Sequence, residues 1–451
     1  MRRLITLRFL LFLFLGILFF PLIQAEWGFV KEKPLKGAFE KSEKKALTSG
    51  NWFTRTFQPA YEKFQNEDLG FYGTRVRIYN QTKFSLFRLA NARSVILGKG
   101  QTLCEDYYIS HFLGKDAVGE PYIEKKLLAV RALQQTLENQ NISFILAFSP
   151  SKARLYPEDI PDRYFSGKRK TSNYEVYKKL LKTRFRDIHF IDFTALLMAV
   201  KDTSRYPVYP RSGTHWSTFI SRTLVLDSLV RYIESLRGIK MPHLLVKKVY
   251  WSDTLKGNDN DMLEAMNLLF QPWKERLPYP VHETVTPAGA VKPSLLMVSD
   301  SYYYNIYDYP PTRTLFSKDD FWYYNSVHYP MERYQGITSS DQELLKKDLL
   351  SHDVVVLMAT ESNISYLFNF AETVLPWIDP SNKLFLADQQ KRAKRIDFYK
   401  QLMRQDAKWL ESLKVKAKQK NTTLEDIMQL DAEFMVEAEV KDSIQKLATG
   451  K

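Results

Sequence analysis

The sequence predicts an α/β fold: a parallel sheet flanked by helices, followed by a charged helical tail. Three observations carry this. Short, unbroken apolar runs at 142–148, 188–193, 295–298 and 354–358 suit strands buried on both faces, the hallmark of a parallel sheet. Amphipathic helical stretches at 122–140, 173–183 and 217–236 alternate with those runs, as a crossover fold requires. Beyond Asp388 the composition changes to highly charged helix.

In order along the chain, residues 1–25 stand apart. Two arginines precede a stretch from Leu4 to Ile23 whose only charge is Arg8, about the length a bilayer span needs. It reads as an uncleaved N-terminal membrane anchor or as a signal peptide cut after Ala25. Either reading exports the rest and predicts a periplasmic or extracytoplasmic protein. Residues 26–51 form a lysine-rich lead-in, 52–387 the α/β domain and 388–451 the helical tail. Within the domain, 52–87 has helical spacing and 93–98 reads as a short strand ending in a Gly-Lys-Gly turn. The pattern loosens at 238–292 and at 302–336, where Tyr, Phe and Trp crowd together; those loops fit either a sugar-binding wall or a cover over the core. In the tail, Thr422-Thr-Leu-Glu425 fits a capping box opening a helix through about 438, with Leu424, Ile427 and Met428 buried, and the tail is expected to dock on the core.

Composition narrows the function. The chain has 451 residues, a formal charge of +14 and one cysteine, Cys104, so no internal disulfide forms and packing must supply stability. In an exported protein the basic clusters at 31–45, 152–182 and 391–420 suit anionic headgroups or an acidic glycan, so no nucleic-acid role is expected. A P-loop, a Gly-rich dinucleotide turn, a Gly-x-Ser-x-Gly elbow, His-Glu-x-x-His and paired cysteines are all absent, so neither a cofactor nor a metal is expected.

A serine and a histidine remain. Ser301 follows the run 295–298, where a buried strand delivers a hydroxyl to the carboxyl edge of a sheet. His215 lies in Ser212-Gly-Thr-His-Trp216, just ahead of a long helix with Ser217 as its N-cap. A serine is a weak nucleophile until an imidazole takes its proton, so the pair predicts acyl-transfer chemistry. Backbone N–H groups near Ser301 and Tyr302 are the expected oxyanion donors, and Trp216, Arg211 and Tyr302 the expected pocket.

The ordered motifs resemble the SGNH-hydrolase-like domain of the alginate O-acetyltransferase family (AlgJ and AlgX). Gly98-Lys-Gly-Gln-Thr-Leu-Cys104 is a degraded match to Gly-Lys-Asp-Gly-Trp-Leu-Phe. Ser149-Pro-Ser-Lys-Ala-Arg-Leu-Tyr-Pro-Glu158 matches a strand ending in Pro-x-Lys followed by Tyr-Pro-Glu. Asp192 to Leu197, Thr214-His-Trp216, Ser299-Asp-Ser301, Asp353-Val-Val-Val and Glu361 follow in the family's order. The likeness covers roughly residues 52–365. It implies that Ser301 takes the acyl group, that His215 is its base, and that a polytopic membrane-bound O-acyltransferase partner supplies acetyl groups for a polysaccharide. The family's orienting aspartate falls at Gly213, so the third triad member is open, with Asp192 and Asp202 as upstream candidates. Losing that carboxylate costs about 10⁴ in rate, roughly 5 kcal/mol. The expected function is therefore an exported, membrane-associated O-acyltransferase acting through a Ser/His acyl-enzyme. The alternatives are a carbohydrate esterase and a non-catalytic glycan-binding or scaffolding accessory of an acyltransferase complex.

Overall fold

The computed structural model describes residues 2–37, 42–165, 167, 169–334, 341–382, 386–419 and 422–449. They fall into two compact units: Met1–Leu103 with Arg211–Gly213 and Asn260–Glu275, and the remainder.

The first unit begins with α1 (Arg2–Trp27), whose segment Thr6–Trp27 has a mean hydropathy of 2.4 and is long and apolar enough to cross a membrane. α2 (Phe57–Asp68), α3 (Tyr72–Phe87) and the short strand β1 (Val95–Leu97) follow. The Glu32 carboxylate accepts the Thr74 N–H at 2.7 Å and the Gly73 N–H at 3.3 Å, satisfying donors that the start of α3 would leave bare. Gly70 is where backbones meet: its N–H donates to the Pro21 carbonyl at 3.1 Å, and a Cβ there would stand 2.3 Å from that oxygen. A small core of Phe84, Ala90, Val95, Leu103, Met262, Leu263 and Met266 holds this unit. The strand β2 (Leu103–Glu105) carries the chain into the second unit.

The second unit is built on a six-stranded sheet in the order β4-β3-β10-β7-β8-β9. Its strands are β3 (Ser143–Ser149), β4 (Phe190–Asp192), β7 (Ser294–Ser299), β8 (Lys318–Tyr323), β9 (Val327–Tyr329) and β10 (Val354–Thr360). All pairs are parallel except β8 with β9. β10 is buried along its whole length, which is why its sequence is apolar without alternation. α4 (Glu120–Glu138), α5 (Asn173–Thr183), α6 (Phe193–Val200), α7 (Leu226–Arg237), α8 (Gln342–Leu349) and α9 (Phe370–Ile378) belong to the same unit. Leu127, Val130, Leu133 and Leu137 of α4 pack with Tyr177 and Leu180 of α5 and Val374 of α9 in one core with the sheet. The register pairs Thr360 with Ser149 and Met358 with Ser299, so β3, β10 and β7 end together at one carboxyl edge.

Two regions differ from the sequence expectation. The loosened stretch 238–292 contains a long antiparallel pair, β5 (His243–Ser252) with β6 (Leu277–Val285). The aromatic stretch contains β8 and β9, with Phe321 and Trp322 fully buried. Phe321 packs its ring 5.2 Å from both Tyr303 and Tyr304, so these aromatics largely cover the core. Part of that stretch, 335–336, lies outside the described residues.

The tail forms α10 (Leu386–Gln405), α11 (Ala407–Gln419) and α12 (Leu424–Thr449). Met403, Leu413, Ile427, Met428 and Ala432 share a core made of tail residues alone. The cap of α12 is one residue later than expected: Thr423 Oγ1 accepts the Asp426 N–H at 3.1 Å, and Asp426 accepts back from the Thr423 N–H at 3.4 Å. The shorter aspartate, not Glu425, makes the reciprocal contact, because Glu425 faces Lys400 and Arg404.

Candidate active site

β7 ends in Ser299-Asp300-Ser301, and Asp300 fixes the turn. Its Oδ2 accepts the Thr360 N–H at 2.9 Å, the Thr360 hydroxyl at 2.7 Å and the Asn363 amide at 2.7 Å. Its Oδ1 accepts the Tyr302 N–H at 3.2 Å. One buried carboxylate thus ties the ends of two neighbouring parallel strands, each bond strengthened by the charge on the acceptor. Ser301, half-buried, opens a short helical turn, Ser301–Tyr303.

His215 is buried, and its Nε2 lies 2.8 Å from Ser301 Oγ. The chain around it is clamped on both sides. The Tyr302 hydroxyl donates to the Thr214 carbonyl at 2.8 Å, and the Tyr302 ring lies 4.8 Å from the imidazole. The Trp216 indole N–H donates to the Tyr302 carbonyl at 3.0 Å. Ser217 Oγ accepts the Ile220 N–H at 3.2 Å as the N-cap, and its own N–H donates to the Val208 carbonyl at 2.8 Å. Asp259 accepts the Thr218 N–H at 2.8 Å, and burial pushes its carboxyl up to about 6.

The family-type motif after β3 is a second anchoring layer. Ser151 donates to Glu361 at 2.7 Å, and Arg154 Nε donates to the same carboxylate at 2.7 Å. Lys152 Nζ donates to the Pro210 carbonyl at 2.6 Å. Such buried charges persist only when paired and bonded.

The expected pocket residues separate. Trp216 and Tyr302 are fully buried and hold the loop, so neither presents a face to substrate. Arg211 belongs to the first unit, where its N–H donates to Glu275 at 2.6 Å and its guanidinium to Gly100 and Gln101. The Tyr302 N–H, expected as an oxyanion donor, is engaged by Asp300. Asp192 does not serve His215: it accepts from the Tyr174 hydroxyl at 3.0 Å and caps α6 through the Ala195 N–H at 2.9 Å. Asp202 instead acts with Glu158 and Asp159 around Tyr156, where burial first and then those charges push the hydroxyl up to about 12. Gly213 precedes the histidine by two residues and offers no side chain.

Sequence reasoning missed Glu105. Its carboxylate accepts the Thr214 hydroxyl, and Oε2 also accepts the Tyr107 hydroxyl at 2.9 Å. The one available signal was an acid directly after the Leu103-Cys104 end of the degraded glycine motif. Cys104 itself is buried, and its thiol is pushed up to about 11 by burial, which makes it unreactive at neutral pH. Among the described residues, Asp320, Asp348 and His352 bring three ligand-type atoms within 4.8 Å of one another. Lys318 lies 2.7 Å from Asp348 and 3.1 Å from Asp320, and Arg333 also pairs with Asp320, so this negative charge is already met.

A parallel sheet whose carboxyl edge presents an Asp-Ser turn to a histidine defines an SGNH-hydrolase-like domain. The profile described as "SGNH hydrolase-like domain, acetyltransferase AlgX" matches residues 107–225, a stretch that contains His215. Over that stretch the chain is similar to the AlgJ/AlgX family. The "Probable alginate O-acetylase AlgJ" of Pseudomonas syringae pv. tomato is 28% identical over 206 residues, 46% of this chain and 47% of the relative. Its counterpart in Pseudomonas aeruginosa is 31% identical over 130 residues, 29% of this chain and 31% of the relative. The chain thus spans about half the length of the first of these curated relatives and about a third of the second. Among solved structures, the O-acetyltransferase domain of Pseudomonas putida AlgJ is 19% identical, with 61% of this chain and 99% of that one covered at a TM-score of 0.39.

Proposed function

We propose that the protein is an exported, membrane-associated O-acyltransferase that moves acetyl groups onto hydroxyls of a cell-envelope or secreted polysaccharide. The carrying observation is the 2.8 Å approach of His215 Nε2 to Ser301 Oγ at the carboxyl edge of the sheet. Ser301 Oγ attacks the acyl carbonyl while His215 Nε2 takes its proton. The tetrahedral intermediate collapses as that proton passes to the leaving group, which leaves an acyl-serine. A sugar hydroxyl then gives its proton to Nε2 and attacks the acyl-serine. The ester product leaves and Ser301 recovers its hydrogen. With the Tyr302 N–H engaged by Asp300, the Ser301 N–H is the remaining donor of the expected oxyanion pair.

Membrane anchoring by an uncleaved α1, with the body in the periplasm or its equivalent, is supported by how that helix ends. Gln24 is buried and bonds the Val30 carbonyl at 2.7 Å and the Val30 N–H at 3.0 Å. Cleavage after Ala25 would remove this contact and the backbone against which Gly70 is fitted. A polytopic membrane-bound acyltransferase would supply the acyl group, because no soluble donor is available outside the cytoplasm. Gly213 favours one competing reading, a non-catalytic glycan-binding or scaffolding accessory. Ser301→Ala in the producing cell separates them. We expect polymer acetylation to fall to background in that strain, whereas unchanged acetyl content overturns the catalytic reading. An esterase would deacylate to water alone, with no transfer to added oligosaccharide.

A further inference from the structure

We propose that Glu105 is the positioning carboxylate of the Ser301–His215 pair, in place of the aspartate for which Gly213 has no side chain; the proposal rests on the acyl-transfer reading above. Nε2 of His215 faces Ser301, so a base role requires the proton on Nδ1. That tautomer is fixed by an acceptor on the far side of the ring. The residue beside His215 leads directly to a carboxylate: the Thr214 hydroxyl donates to Glu105, which lies 109 positions upstream of Thr214. The Thr214 carbonyl is fixed in turn by the Tyr302 hydroxyl, so Thr214 is a rigid link from the acid to the histidine.

Two further observations put the Glu105 charge at the site. The Tyr107 hydroxyl donates to Glu105 Oε2, so a second donor holds the carboxylate. The hydroxyls of Tyr108 and Tyr324 are each raised, first by burial and then by the charges of Asp300 and Glu105, against hydrogen bonds from neighbouring side chains that lower them. Two tyrosines thus feel both the carboxylate that braces Ser301 and the one tied to Thr214. A negative charge on this half-buried carboxylate favours the imidazolium that forms when His215 takes the serine proton. The sequence conceals it because the relation between Glu105 and His215 exists only once β2 and the histidine loop have folded.

The test uses the full chain in detergent, with an acetyl ester of a chromogenic phenol and with selectively labelled histidine for NMR, the His215 resonance being assigned by its loss in His215→Gln. Glu105→Gln is expected to lower kcat about 10²- to 10⁴-fold with KM nearly unchanged. It is also expected to lower the His215 titration midpoint by about one pH unit or more. Glu105→Asp should restore much of both, since it returns the charge with a shorter reach. A brace that acts only through folding would change thermal stability but leave the His215 midpoint in place, and that result overturns the proposal. If the wild type itself shows no Ser301-dependent turnover, the acyl-transfer reading fails. The titration still decides the role of Glu105, because it needs no turnover.

Discussion

The serine turn and the histidine loop are held by different means. Asp300, next to Ser301 in sequence, has both carboxylate oxygens in use and takes four donors from Tyr302, Thr360 and Asn363. On the other side, Asp259 accepts the Thr218 N–H on Oδ1, while among the described residues its buried Oδ2 has no hydrogen bond of good geometry, the Thr218 and Tyr279 hydroxyls only partly offsetting the burial of its charge. The support of the serine passes through one adjacent carboxylate, which is saturated. That of the histidine is assembled from distant parts of the chain, from Glu105 through Thr214, from Tyr302 through Trp216 and from Asp259 through Thr218. A local brace survives sequence drift as a motif. A distributed one does not depend on a single neighbour in sequence, so the glycine at position 213 does not by itself remove the support of the histidine.

The sharpest break of this comparison is at the two reacting groups themselves. Ser301→Ala and His215→Ala are each expected to lower ester turnover by about 10⁴- to 10⁶-fold, with the double variant no worse than either, because groups that act as one unit are not additive. Steady-state rates on the purified full chain check this. A double variant whose losses multiply would mean that the two side chains act separately.

The next largest effect tests the saturated side. Asp300→Ala leaves four donors without their acceptor at a buried strand end and is expected to cost about 3–5 kcal/mol, read as a fall in denaturant midpoint at unchanged slope. A loss below about 1 kcal/mol would show that the serine turn is no better held than the histidine loop.

The same contrast explains what the sequence could reveal. β3, β7 and β10 were legible because strands buried on both faces carry unbroken apolar runs, and Ser301 was legible as the residue such a strand delivers. β5 and β6 were not, since β5 carries exposed Leu245, Val246, Lys247 and Lys248 and β6 includes Pro278 and Pro280. Edge-type pairing tolerates both and shows no clean alternation. β8 was hidden by its aromatics, since a stretch so rich in Tyr, Phe and Trp also fits a loop wall. At the site, His215 could be read from its neighbours Thr214 and Trp216. Asp192 was a reasonable guess for its partner by proximity in sequence, yet a helix N-cap and the Tyr174 hydroxyl claim it. Glu105 carried no periodicity and belonged to a degraded motif, so only tertiary structure brings it to Thr214.

The smallest expected effect lies on the unsaturated side, in how stability depends on pH. Burial raises the Asp259 carboxyl from the usual aspartate range to about 6, so the folded chain holds that proton more tightly than the unfolded chain does. Between about pH 4 and 6 the folded state therefore binds more protons, and its stability from this group is fully present below the unfolded value. That contribution declines as pH rises through the window and stays reduced above it, by on the order of 3 kcal/mol at most. Asp259→Asn keeps an oxygen to accept the Thr218 N–H but cannot ionise. The stability of the variant relative to wild type is thus expected to rise steadily from pH 4 to about pH 6.5 in denaturant titrations. A difference independent of pH would show that Asp259 carries no unmet charge and that the histidine loop is as well satisfied as the serine turn.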